Sequence, residues 1–100
     1  MNDEVDLNEY PQQARFKVLK ESVKRVEEWA GVSVTSRGVY VQPGRAPPMG
    51  ERRLHLFIEG IGEAVVKQAK AELVRVLEEE TLRLGASAVM SQMGVGKYSV

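Results

Sequence analysis

The alternation of hydrophobic and polar residues predicts three β-strands. Residues 1–10 alternate weakly, with Val5 and Leu7 on one face, and we expect them to form a short edge strand. Residues 32–41 and residues 52–59 alternate strongly, so we expect these two strands to pair antiparallel across the Pro- and Gly-rich loop between them. The outward positions of the two strands carry Ser33, Thr35, His55 and Phe57.

Helical spacing predicts a first short helix after Pro11, a residue that fits the first turn of a helix. This helix covers residues 12–19 and has Ala14 and Val18 on its apolar side. The polar run Lys20–Ser22 interrupts the apolar pattern, so we expect a charged joint between this helix and the next one.

A second helix is predicted from the joint to Ala30. Ser22 is the kind of residue that caps a helix N-terminus, and Val23, Val26 and Ala30 follow with helical spacing. Trp29 lies beside this apolar stripe, and we interpret it as an anchor in the core.

A third, longer helix is predicted from Glu63 to about Leu84, with Gly85 ending it. The predicted order is therefore β-α-α-β-β-α, which makes residues 1–85 an α+β domain with a three-stranded sheet covered on one face by helices. Residues 86–100 have no periodicity and are expected to form a flexible C-terminal tail.

The composition excludes several kinds of site. The chain has no cysteine, which excludes disulfides and thiolate metal sites, and no apolar run approaches the roughly 18 residues of a membrane span. Its single histidine, His55, has no pattern of further ligands or catalytic partners around it. We therefore expect an intracellular chain without membrane association, metal, cofactor or catalytic residue.

The net charge of zero conceals an uneven distribution. Residues 1–11 contain four acids and no base, whereas residues 12–53 contain nine bases and four acids, a net charge of +5. Residues 54–100 contain five bases and six acids. The middle of the chain is therefore a modestly basic zone, which can meet phosphates or can simply be a solvated surface.

Several short motifs occur in one order along nearly the whole chain. They are Leu7–Gln12, Ala14–Val18, Val32–Tyr40, Pro43–Arg45, Gly50–Leu54, Ala69–Leu73 and the ending Gly96–Val100. In this order they resemble the KH-like domain at the C-terminus of the spliceosomal DEAD-box RNA helicases of the Prp-five type. The resemblance implies a eukaryotic-type (type I) KH-like fold, a nuclear location and a parent protein that is an ATP-dependent RNA helicase in pre-mRNA splicing.

The helicase motor itself has no counterpart in this sequence. The chain contains neither the phosphate-binding pattern GxxxxGK[ST] nor Asp-Glu-Ala-Asp, and Gly94–Lys97 is too short a piece of such a loop. We therefore expect that this chain alone hydrolyses nothing.

The charged joint departs from the KH pattern. A KH domain clamps about four nucleotides with a GXXG loop between its first two helices. The corresponding segment, Val18–Ser22, contains no glycine, and Glu21 would repel a phosphate. We therefore expect weak, salt-sensitive binding of single-stranded RNA, or none.

Two functions stay open at this point. The first is an RNA-binding module with a groove between the second helix and the strand of residues 32–41, where Tyr40 would stack a base. The second is a module that binds spliceosomal proteins through the open sheet face or the Pro-rich loop, with Tyr40, Phe57 and His55 as candidates. In both cases we expect a monomer. The residues predicted to contact RNA in the first case are Arg15, Lys17, Lys20, Lys24, Arg25, Arg37, Tyr40 and Arg45.

Overall fold

The computed structural model describes the backbone of residues 1–93 and the side chains of residues 1–85. Three strands form one antiparallel sheet in the order β1-β3-β2, namely β1 (Asn2–Asp6), β2 (Ser33–Arg37) and β3 (His55–Glu59). The described helices are α1 (Gln12–Lys17), α2 (Val23–Ala30) and α3 (Glu63–Met93). A π-helical turn, Val18–Ser22, joins α1 to α2.

The central strand β3 supplies the middle of the core. Leu56 pairs with Val5 of β1, Ile58 pairs with Val34 of β2, and all four side chains are buried. The helices pack on this side of the sheet, and the buried face of α3 contributes residues such as Leu73. The predicted α+β class, the β-α-α-β-β-α order and the antiparallel pairing of the last two strands are confirmed.

The two predicted helices α1 and α2 are present, but the predicted polar break between them is wrong, because the stretch after Pro11 is helical throughout. α1 passes into the π-helical turn and then into α2 without a loop. The amide of Val18 donates to the carbonyl oxygens of Ala14 and Arg15, and the amide of Val23 donates to the carbonyl oxygen of Val18. This last bond reaches back five residues, which defines the π turn.

The π turn follows from the spacing of the buried residues. Ala14, Val18, Ser22 and Val26 recur every four residues, and each is at most 3% exposed. In a regular α-helix each four-residue step advances about 40° beyond a full turn, so three steps would carry Val26 about 120° away from Ala14. The extra residue of a π turn removes roughly 100° of this drift, so the π turn keeps the whole stripe on the core.

The position of each residue around this helical segment also corrects the predictions for two side chains, Ser22 and Trp29. Ser22 makes no capping hydrogen bond, because it lies inside the helix with its side chain buried in the stripe. Trp29 is not a core anchor but is 60% exposed. It precedes Ala30 by one residue, and one residue rotates the side chain about 100° away from the buried direction.

The strands are shorter than predicted at the end near the long loop. β2 stops at Arg37 because Gly38 adopts a φ of +83°, and the chain then makes only an isolated bridge between Val39 and Arg53. β3 begins at His55 rather than at residue 52. His55 lies on the sheet face away from the helices, as predicted, yet it is only 5% exposed.

The helix α3 continues through Gly85 to Met93, so the predicted end near Leu84 is wrong. The division into a domain of residues 1–85 and a flexible tail of residues 86–100 stays a prediction. Residues 94–100, with the Gly94–Lys97 piece and the Gly96–Val100 motif, lie outside the described residues. None of the helices within residues 1–93 has the length and apolar content that crossing a membrane requires.

Substitution of Gly38 by alanine is expected to destabilise the fold more than the same change at Gly44. The two glycines have almost the same φ, +83° and +82°, so both changes carry the strain of a left-handed backbone, roughly 1–2 kcal/mol. Only at Gly38 would the new Cβ meet backbone, at 2.5 Å from the Arg53 carbonyl oxygen. We expect a further loss of about 1–3 kcal/mol there, measured by urea unfolding. Equal losses at the two positions would contradict this account.

Candidate nucleic-acid interface

The eight residues predicted to contact RNA lie on two separate parts of the molecule. Five project from the helical segment α1–π turn–α2, and these are Arg15, Lys17, Lys20, Lys24 and Arg25. The other three follow β2 or lie at its end, and these are Arg37, Tyr40 and Arg45. The side chains of Arg15 and Tyr40 stack on each other and so connect the two parts.

The predicted groove between α2 and β2 is bridged by an acidic side chain. Oε2 of Glu27 accepts a hydrogen bond from the backbone amide of Val34 at 2.9 Å. This amide is therefore already satisfied within the chain, and a carboxylate spans the space between α2 and β2 at this point. A phosphate entering this groove would meet a negative charge. Whether the predicted residues contact RNA stays a prediction, but the groove is not open in this structure.

The joint between α1 and α2 offers no loop that could wrap a phosphate. A GXXG loop binds phosphate through close approach of the backbone, for which glycine and unpaired amides are needed. Here the segment Val18–Ser22 is helical, and the flanking amides of Val18 and Val23 donate to carbonyl oxygens of the same helix. Any contact with a phosphate in this region must therefore come from side chains.

Two of the five basic side chains on the helical segment form ion pairs with acidic residues of α3. Arg25 donates to Glu72 at 3.0 Å, and Lys17 lies 3.8 Å from both Glu21 and Glu80. Hydrogen bonds from Arg75, and then from Arg25, lower the pKa of Glu72 to about 2. The Glu72 carboxylate is therefore charged at neutral pH, and it neutralises part of the basic surface.

Lys20 and Lys24 are the free bases of this surface. Both side chains are exposed, and neither belongs to an ion pair among the side chains of residues 1–85. They are one helical turn apart, on either side of the end of the π turn. Such lysines can approach a phosphate without first breaking an intramolecular bond.

Arg15 and Tyr40 form a stacked pair. The guanidinium carbon of Arg15 lies 4.5 Å from the centre of the Tyr40 ring, and Nη1 of Arg15 donates to the Tyr10 carbonyl oxygen at 3.1 Å. Tyr40 is about half exposed. One face of the Tyr40 ring is therefore occupied by a cation, which leaves less of the ring for a base.

Arg37 and Arg45 lie elsewhere. Arg37 stacks on Phe57 across the open sheet face, with its guanidinium carbon 4.0 Å from the ring centre. Arg45 lies in the exposed loop, where its backbone amide donates to the Gln42 carbonyl oxygen. The structure therefore does not bring these two bases to the helical surface.

The N-terminal strand neutralises part of the basic zone, which sequence reasoning missed. Arg52 donates two hydrogen bonds to Glu4, at 2.6 and 2.9 Å, and Arg53 contacts both Asp6 and Glu9. The bond from Arg52 lowers the pKa of the Glu4 carboxyl. The sequence shows the opposite charges of residues 1–11 and residues 12–53. Only the pairing of β1 with β3 shows that these acids and bases lie next to each other.

His55 belongs to the same end of the sheet. Its Nδ1–H donates to the Arg53 carbonyl oxygen at 2.7 Å, whereas Nε2 is buried and has no partner within the described side chains. The part of the chain that the structure describes contains no group of three or more His, Asp or Glu side chains arranged to hold a metal ion.

The chain is similar to a segment of much longer RNA helicases. It is 47% identical over 98 residues to DEAD-box ATP-dependent RNA helicase 42 of Arabidopsis thaliana, an alignment that covers 97% of this chain and 8% of the relative. It is 40% identical over 99 residues to the probable ATP-dependent RNA helicase DDX46 of Homo sapiens, covering 98% of this chain and 9% of that protein.

A second plant relative shows the same relation. DEAD-box ATP-dependent RNA helicase 45 of Arabidopsis thaliana is 46% identical over 98 residues, which are 97% of this chain and 10% of the relative. The chain therefore spans about a tenth of the curated relatives that it matches, and it is homologous to a small segment of DEAD-box ATP-dependent RNA helicases. No family model and no solved structure matches it.

Replacing Glu27 by alanine is expected to release the amide of Val34. Because the amide loses its charged acceptor, we expect faster hydrogen exchange at Val34 and a loss of stability of about 1 kcal/mol. Amide exchange measured by NMR, together with urea unfolding, checks both effects. The adjacent, exposed Glu28 provides the control, since Glu28→Ala removes the same charge. Unchanged exchange at Val34 in Glu27→Ala, or the same acceleration in both variants, would contradict the bridge.

Proposed function

We propose that this chain is a non-catalytic, KH-like accessory domain of a nuclear DEAD-box ATP-dependent RNA helicase that acts in pre-mRNA splicing. The similarity to helicases of plants and animals supports the parent protein, since these relatives are named as ATP-dependent RNA helicases. The short motifs shared with the Prp-five type support the process. The domain makes weak contacts with single-stranded RNA, and the motor that consumes ATP lies in the rest of the parent.

The observation that carries the RNA contact is the pair of free lysines beside the π turn. Lys20 and Lys24 are exposed and lack ion pairs among the described side chains, whereas Lys17 and Arg25 are held by acids. Two free cations on one surface attract a phosphate chain, but they provide no backbone clamp and no readout of bases.

The proposed contact with two lysines predicts how strongly RNA binding depends on salt. If the two lysines neutralise two phosphates of a single strand, the logarithm of the binding constant falls with the logarithm of the salt concentration with a slope of about −1.4. A fourfold rise in salt then weakens binding roughly sevenfold. Such a contact holds RNA that the helicase has already engaged rather than selecting a sequence.

A second function, binding of another protein of the splicing machinery, is favoured by a different observation. The groove between α2 and β2 is closed by Glu27, and Trp29 on α2 is 60% exposed. Exposed tryptophans are more frequent at protein interfaces than elsewhere on protein surfaces. A domain that kept the fold but lost the nucleotide groove would use such a surface for protein contacts.

The domain is proposed to act as a monomer. In each edge strand one backbone amide is bonded to a carboxylate of the same chain. The amide of Glu4 donates to the Asp3 carboxylate at 2.7 Å, and the amide of Val34 donates to the Glu27 carboxylate. Occupied edge amides cannot pair with a strand of a second copy. This protection supports a monomer and also disfavours recognition by strand addition.

The test is a titration of the isotopically labelled chain with a single-stranded oligoribonucleotide, followed by amide NMR shifts at low and moderate salt. We expect shifts around residues 15–25 that fade as salt rises, and we expect Lys20→Glu combined with Lys24→Glu to abolish them. The matched control is Lys67→Glu combined with Arg83→Glu on α3, which changes the net charge equally. Absence of any shift at near-millimolar RNA would contradict RNA binding.

A further inference from the structure

Phe16 is an exposed aromatic side chain that points away from the core. It follows Ala14 by two residues and precedes Val18 by two, and both of these side chains are completely buried. Two residues of a helix rotate the side chain by about 200°, so Phe16 lies almost opposite the buried stripe. Its side chain is 60% exposed.

The surroundings of Phe16 are basic. Leu19 and Lys20 follow it by three and four residues, which places them next to it on the helix surface. Of the five bases between residues 12 and 25, Lys17 and Arg25 are paired with acids of α3, whereas Lys20 and Lys24 belong to no ion pair among the described side chains. The ring of Phe16 therefore lies within about one helical turn of a free lysine.

The other exposed aromatic rings differ from Phe16. The exposed Tyr40 and the partly buried Phe57 each carry an arginine on one face, and no such arginine covers Phe16 among the described side chains. Trp29 is equally exposed, but it lies beside the ion pair of Arg25 with Glu72. Only Phe16 combines an open ring with adjacent free positive charge in the part of the chain that the structure describes.

We infer that Phe16 is a stacking platform for one base of single-stranded RNA, and that Lys20 contacts the neighbouring phosphate. Aromatic rings next to positive charge bind single strands because each base has a face to stack, whatever its identity, while the lysine neutralises the backbone. This surface is the outer face of α1 and the π turn, on the opposite side of the helix from the core, and not the closed groove between α2 and β2. The inference rests on the proposed RNA contact and gives it a location.

The direct test compares Phe16→Ala with Trp29→Ala in binding a fluorescently labelled uridine 12-mer, measured by anisotropy at low salt. The two rings are equally exposed, at 60%, so neither change should unfold the chain. We expect Phe16→Ala to weaken binding about fivefold or more, as stacking of one base requires, and Trp29→Ala to change it less than twofold. Phe16→Trp should retain the affinity of the original chain.

The salt dependence separates stacking from charge. Phe16→Ala should leave the slope of affinity against salt unchanged, whereas Lys20→Gln should reduce it by about 0.7. Polyglutamate serves as a polyanion without bases, and Phe16→Ala should not weaken its binding. Equal weakening for polyglutamate and RNA would overturn base stacking and indicate an acidic protein as the partner of this surface.

A spectroscopic readout tests the contact itself. In the chain carrying Phe16→Trp with Trp29→Phe, the single tryptophan should be quenched by the uridine 12-mer, since a stacked base lies directly on the ring. RNA binding that depends on Lys20 and Lys24 but leaves this fluorescence and the Phe16→Ala affinity unchanged would overturn the inference and leave the proposed function standing. No RNA binding by the unaltered chain would overturn both.

Discussion

The burial of one stripe of small residues determines the shape of this domain. Ala14, Val18, Ser22 and Val26 recur every four residues, and a regular α-helix cannot keep such a series on the core. The π turn absorbs the difference, so α1 and α2 form one continuous helical segment against α3 and the sheet. The same turn consumes the backbone amides that a phosphate-binding loop would leave free. Packing in the core therefore leaves the amides of Val18 and Val23 bonded within the helix and not free for a phosphate.

Any nucleic-acid contact of this helical segment must come from side chains, since the amides that flank the turn are already bonded. Acids of α3 hold Lys17 and Arg25, and Glu27 closes the groove beside β2. What stays accessible is the outer surface of the helical segment, with its free lysines and an exposed ring. In the proposed function, this surface adheres to a single strand without selecting a sequence. The chain matches about a tenth of the length of the helicases to which it is similar.

The sequence predicts the sheet well and the helical joint poorly, for physical reasons. Alternation with a period of two places Leu56 and Ile58 on the core unambiguously, and the structure buries both. The run Lys20–Ser22 is polar like a loop, and only the four-residue recurrence of buried positions reveals that it is helical. Trp29 is misleading because a large apolar residue is expected inside. The contacts of Arg52 and Arg53 with the N-terminal acids depend on strand pairing, which joins residues far apart in the chain.

The joint between α1 and α2 is a hydrogen-bonded π turn and not a loop. Through-hydrogen-bond scalar coupling in the labelled chain tests it most directly, because the coupling connects each amide nitrogen to the carbonyl carbon that accepts its proton. We expect the amide of Val23 to couple to the carbonyl of Val18, five residues back, and the amides of the turn to be protected from exchange. Rapid exchange and random-coil shifts across residues 18–22, or coupling of Val23 to Leu19 instead, would contradict the account.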